Sequence, residues 1–72
     1  MELDRVTIDP AVCSGKPCIR GTRFPVYQIL DLVAAGNSFH KILEDFPALE
    51  EEDLRQAIAY AAQLAREEWL AV

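Results

Sequence analysis

The stretch PVYQILDLVAAGNSFHKILEDFPALEEEDL, residues 25–54, decides the fold. Its apolar residues recur at helical rather than strand spacing. Val26, Ile29, Leu30 and Val33 form one stripe, which Leu32 and Ala34 widen. Pro25 suits a first helical position, where its missing N–H costs nothing. Gly36-Asn37 is a stop, because glycine just past a helix readily takes the left-handed conformation. The spacing therefore predicts helix one over about residues 25–35. Ser38 is an N-cap, its hydroxyl accepting a backbone N–H. Phe39, Ile42, Leu43 and Phe46 then fall at i, i+3, i+4 and i+7 before Pro47, which places helix two over about 38–46. A helix of two turns is marginal alone and must be held by tertiary packing.

Toward the C-terminus, Glu50, Glu51, Glu52 and Asp53 suit the positive end of a helix dipole. Leu54, Ala57, Ile58, Ala61, Leu64 and Ala65 continue at helical period, so helix three covers about 50–70. At 1.5 Å per residue it is on the order of 30 Å long. Alanines at 57, 61, 62 and 65 let another helix approach closely.

Toward the N-terminus the pattern changes. Residues 3–8 alternate weakly and are β-branched at Val6, Thr7 and Ile8, which predicts a short strand. Asp9-Pro10 breaks it, and Ser14-Gly15 and Gly21-Thr22 are turn signals. Residues 17–20 have room only for a very short extended piece, and Arg23-Phe24 runs directly into Pro25. The expected architecture is one mainly α domain over residues 1–72. A short N-terminal β-arm occupies 1–24 and a three-helix helix-turn-helix bundle occupies 25–70.

A chain of 72 residues buries only about 60% of its unfolded surface. Added stability from a homodimer or another partner is expected. The net charge of −5 argues against coating nucleic acid by bulk electrostatics. That charge is uneven. Residues 1–25 hold four basic and three acidic side chains, and residues 26–72 hold three basic and nine acidic ones. Any contact with a polyanion therefore belongs to the N-terminal quarter. The acidic opening MELDRVTIDP is unlike a signal peptide, and no apolar run reaches the roughly 20 residues of a membrane span. A cytoplasmic protein with no membrane contact is expected, its two cysteines reduced.

The chemical motifs are sparse. Cys13, Cys18 and His40 fall short of a four-ligand structural zinc site. The C-x4-C spacing is not the C-x-x-C redox motif. The run SGKPCIRGT lacks the order of a phosphate-binding loop. His40 sits one step off the apolar stripe of helix two with no partner set evident from spacing. The expectation is a protein that is not an enzyme and carries no cofactor or metal. A tri-helical plan makes helices two and three a helix-turn-helix pair. The residues that should then read bases are Glu50, Glu51, Glu52 and Asp53, which phosphates repel. Arg55 is the one plausible reader there. Lys16, Arg20 and Arg23 are the better candidates for DNA or a partner's carboxylates. The structural alternative has Arg20 and Arg23 pairing with Asp9 or with the acids of helix three. For protein partners, Trp69 is the leading anchor, with Tyr60 and Phe46 behind it.

Longer segments carry a family resemblance. The pieces IDPAVCSGKPCIRGTRFPVYQILDLVAAG and ILEDFPALEEEDLRQAIAYAA resemble the DUF433 family of small prokaryotic proteins over almost the whole chain. Asp9-Pro10, Gly15-Lys16-Pro17, Ile19, Gly21-Thr22-Arg23, Pro25-Val26, Gly36 and Asp45-Phe46-Pro47-Ala48-Leu49 fall in the family's order. The usual Tyr-Pro reads Phe46-Pro47 here. The resemblance implies a homeodomain-like helical fold and the antitoxin role in a type II toxin–antitoxin pair. The partner would be a PIN-like ribonuclease-type toxin, with possible autoregulation at promoter DNA. A stand-alone helix-turn-helix DNA-binding regulator without a toxin is the alternative. No catalytic residues carry over.

Overall fold

The computed structural model describes the backbone of residues 3–70 and the side chains of residues 3–66. Three short strands come first: β1 (Val6–Thr7), β2 (Cys18–Ile19) and β3 (Phe24–Pro25). A 3-10 turn, Cys13–Gly15, lies between β1 and β2. Three helices follow: α1 (Val26–Ala34), α2 (Phe39–Asp45) and α3 (Glu51–Leu70). The helical readings hold to within a residue at each end, because periodicity and caps are local signals.

Residues 3–24, the described part of the β-arm, pack on the bundle. Their strands pair antiparallel in the order β1-β2-β3, with Val6 opposite Ile19 and Cys18 opposite Pro25. The central strand is wholly inside, Cys18 and Ile19 being 0% and 1% exposed. The sheet packs against α1 and α3 and completes the core. Strands of two residues have too few ladder bonds to persist alone; burial of β2 under the helices holds them.

Pro25 differs slightly from the expectation. It is the last residue of β3, extended at φ −65° and ψ 138°, and the helix begins at Val26. The Val26 N–H donates to the Pro17 carbonyl at 3.0 Å. Strand pairing thus runs straight into the first helical turn without a linker.

At the other end of α1, Gly36 takes φ +94°. Its N–H donates to the Val33 carbonyl at 3.0 Å and the Asn37 N–H to Leu32 at 3.1 Å. This is the Schellman pattern, which satisfies carbonyls the helix end would leave unpaired. The Asn37 side chain donates to the same Leu32 carbonyl at 2.9 Å. Ser38 caps α2 as expected, its hydroxyl accepting from the Lys41 N–H at 3.1 Å. Pro47 forces Phe46 out of helical geometry, to φ −128° and ψ 77°, as the residue before a proline requires.

Ile19, Val26, Ile29, Ile42, Leu49, Leu54 and Ala57 form the buried core, drawn from every layer. Each large aliphatic among them contributes about 1.5–3 kcal/mol by leaving water. Phe24 and Phe46 close its edge in a T-shaped pair with centroids 5.0 Å apart. Phe46 is therefore a core contact rather than a partner anchor.

Candidate functional site

A polar latch ties the N-terminal turn to the start of α3. Gln56, 3% exposed, is its centre. Its Oε1 accepts from the Arg5 backbone N–H at 2.8 Å. Its Nε2 donates to Asp4 at 2.7 Å and to Glu52 at 3.1 Å. The Arg5 guanidinium donates to Glu50 at 2.6 Å and Asp53 at 3.1 Å. Asp53, 5% exposed, also accepts from the Glu50 N–H at 2.8 Å, reaching back over the helix start as a capping box does. The hydrogen bond from Gln56 chiefly holds the Asp4 carboxyl below its ordinary range, with Arg20 and Arg5 nearby adding to it. Glu50 and Asp53 raise the already high pKa of Arg5.

The latch corrects the structural alternative for the basic residues. Arg5, not Arg20 or Arg23, pairs with the acids of α3. Among the described residues neither Arg20 nor Arg23 forms an ion pair. The latch also occupies the helix-three acids that a base-reading helix would point at DNA. Glu50 and Asp53 hold Arg5, Glu52 holds Gln56, and Glu51 pairs with Arg55 on the exposed face. Arg55 is thus engaged one turn back along its own helix.

The three basic residues close in sequence point to three different places. Arg20 and Arg23 bracket the β2–β3 turn, both exposed. Thr22 stiffens that turn, its hydroxyl donating to the Ile19 carbonyl at 3.1 Å and accepting from the Phe24 N–H at 3.1 Å. Gly21 at φ +87° and Arg23 at φ +59° bend the chain through left-handed backbone. Arg20 lines a polar hollow of about 280 Å³ with Asp4, Thr22 and Glu50. Arg23 lines another of about 300 Å³ with Thr7, Asp9 and Cys18. Lys16 stands apart from both, its Nζ 5.2 Å from the centre of the Tyr27 ring, a cation–π contact.

Lys16 marks the mouth of an apolar groove of about 330 Å³. One wall is α1, with Val26, Tyr27 and Leu30; the other is α3, with Tyr60, Ala61 and Leu64. Pro17 and Lys16 close one end. Tyr27 is 51% and Leu64 43% exposed, so the two walls carry apolar side chains that solvent reaches. Tyr60 on this wall is singled out in the sequence as a candidate partner anchor. Tyr27 is not; its only signal is an aromatic off the core stripe of helix one. Trp69 lies outside the residues whose side chains are described.

His40 is 89% exposed, 3.5 Å from Glu44. Among the described residues no group of three or more His, Cys, Asp or Glu side chains is placed to hold a metal ion.

The comparisons with known proteins agree with one another. The family model described as "Protein of unknown function (DUF433)" matches residues 6–61. A protein of Sinorhizobium fredii, "Uncharacterized protein y4eO", is 46% identical over 56 residues. Those residues are 78% of this chain and 25% of that protein, so the chain spans about a quarter of this relative. The crystal structure of a DUF433 member protein from Anabaena variabilis superposes with a TM-score of 0.79 at 33% identity. The match covers 88% of this chain and 62% of that one.

Proposed function

We propose that this chain, which belongs to the DUF433 family, is a non-enzymatic binding module: the antitoxin-like member of a type II toxin–antitoxin pair. Its partner is a PIN-like ribonuclease, which it binds and masks in the cytoplasm. The observation that supports this reading is the groove between α1 and α3. It is apolar and open, with Ala61 in its lining and Lys16 at its mouth. Such a groove suits an amphipathic segment of another protein. The acidic body, at net −5, complements a surface built to bind RNA. Arg20 and Arg23, exposed on the β2–β3 turn, are free to reach the carboxylates of a metal-dependent nuclease site. The chain acts as a homodimer in this reading, since a core this small gains from a second copy.

The test is co-expression with a PIN-like protein encoded beside this chain's own gene. The pair is expected to co-elute, and the chain to suppress the partner's ribonuclease activity. Separate elution with full nuclease activity overturns the proposal.

A second reading follows from the β2–β3 turn. Here α2, the turn at 46–50 and α3 are a helix-turn-helix of a homeodomain-like bundle that binds promoter DNA. Because the α3 acids are engaged in the latch, Arg20 and Arg23 on their stiff turn bind the phosphates. Each phosphate that the protein no longer neutralises reduces the slope of log affinity against log salt by about 0.9. Arg20→Ala with Arg23→Ala should therefore flatten the salt dependence by about two such steps. An unchanged slope removes the turn from the DNA interface.

A further inference from the structure

The loop between β1 and β2 curls Cys13 back onto the sheet. The Val12 N–H donates to the Asp9 carbonyl at 2.9 Å, Gly15 to Val12 at 3.0 Å and Lys16 to Cys13 at 3.0 Å. Cys13 and Ser14 both take left-handed backbone, at φ +53° and +56°, which non-glycine residues adopt only when their surroundings hold them there. The Cys13 thiol comes to rest over the β2–β3 turn and donates to the Arg23 carbonyl at 3.2 Å. The Cys18 side chain on β2 lines one hollow with Val12 and Arg23; burial raises its pKa, and the nearby Cys13 adds to the rise. Both cysteines are free; Cys13 is half-buried and Cys18 buried. Beside them opens the hollow lined by Asp9, Val12, Cys18 and Arg23. The strained loop thus brings an accessible thiol back to the part of the sheet that encloses the other.

We propose that Cys13 and Cys18 are a thiol–disulfide site that closes to an intramolecular bond when the protein meets a small-molecule disulfide such as glutathione disulfide. The Cys13 thiolate attacks one oxidant sulfur, forming a mixed disulfide and releasing one glutathione thiolate. The Cys18 thiolate then attacks the Cys13 sulfur, forming the Cys13–Cys18 bond and releasing the second glutathione. The two protein thiols give up two protons and two electrons, and the oxidant becomes two thiols. Access sets the order: Cys13 meets the oxidant, and Cys18 resolves. Burial holds the Cys18 thiol above its ordinary pKa, so the second step quickens as pH rises.

Closing the bond removes the S–H that holds the Arg23 carbonyl. The redox state of the loop is thereby carried to the turn that presents Arg20 and Arg23.

The experiment exposes the folded full chain to glutathione disulfide at about pH 8, where thiolate is available, and reads intact mass after acid quench. The expected product is monomeric, lighter by two hydrogens and free of glutathione. Cys18→Ala should stop at the glutathione adduct on Cys13, and Cys13→Ser should remain unmodified. In the oxidised wild type the amide resonances of Arg23 and Phe24 should move. A lasting glutathione adduct on the wild type, a dimer linked through Cys13, or an unchanged mass overturns the site. Because this readout is on the wild type, it stands even where Cys18→Ala fails to fold. Unmoved Arg23 and Phe24 resonances overturn the coupling to the turn.

Discussion

Replacing Gln56 with alanine should destabilise the chain by about 2–4 kcal/mol. Gln56 makes three hydrogen bonds, two of them to carboxylates, and each is worth about 0.5–1.5 kcal/mol net, or somewhat more when charged. Truncation also leaves the Arg5 N–H without its acceptor in a part-buried position. A domain of this size holds about 4–11 kcal/mol in total, so the loss is a large share of it. With an m-value near about 1 kcal/mol/M, the urea midpoint should fall by about 2 M or more. The exposed Gln63 on the same helix is the control, and Gln63→Ala should stay within about 0.5 kcal/mol. Gln56→Glu sharpens the test. It keeps an acceptor for the Arg5 N–H but turns a carboxylate toward Asp4 and Glu52. It should be destabilising at neutral pH and recover as the acids protonate. If Gln56→Ala unfolds within about 0.5 kcal/mol of wild type, the latch does not hold the N-terminal turn to α3, and the reasoning fails.

Further outcomes follow from the same structure. Gly36→Ala should cost about 1–2 kcal/mol by chemical denaturation; at φ +94° a Cβ meets nothing within 4 Å, so the cost is backbone strain alone. Leu54→Ala should cost about 2–5 kcal/mol, since Leu54 is 0% exposed and sits where the core layers meet. Asp4 has its folded pKa lowered below the ordinary 3.8. Its stabilising contribution is therefore fully present above that value and is lost as pH falls through the folded one. Asp4→Asn should flatten the acid limb of the stability curve below about pH 4, and an unaltered limb would remove Asp4 from the latch.

The parts of this fold legible in the sequence are those written in neighbouring residues. The stripes Val26–Ile29–Leu30 and Phe39–Ile42–Leu43, the Ser38 cap and the Gly36 stop each act within a turn or two. The latch cannot be read in this way, because Gln56 meets Arg5 across 51 positions and Arg5 meets Asp53 across 48. Arg5 sits in an unremarkable turn, and only the folded chain brings it to α3. Proximity in sequence misleads in the opposite sense for Lys16, Arg20 and Arg23. Buried β2 lies between Lys16 and Arg20, and the turn separates Arg20 from Arg23, so the strand geometry sends the three cations to separate hollows. The two cysteines are similar. Their spacing fits no redox motif, yet a left-handed loop carries the Cys13 thiol back to the Arg23 carbonyl at the β2–β3 turn. The groove is also a tertiary feature: Tyr27 and Leu64 are each ordinary on their own helix, and only the packing of α1 against α3 makes walls of them.

The central claim is that the α1–α3 groove binds a partner protein, and Leu64 tests it most directly. Its side chain is 43% exposed, so Leu64→Glu leaves the core intact while placing a charge in an apolar wall. Calorimetric titration of the PIN-like protein encoded beside this chain should give a defined affinity for the wild type. For Leu64→Glu, with unfolding unchanged, binding should weaken by about 30-fold or more, the effect of losing an interface hot spot of about 2 kcal/mol. Equal affinities for the two chains would contradict the account.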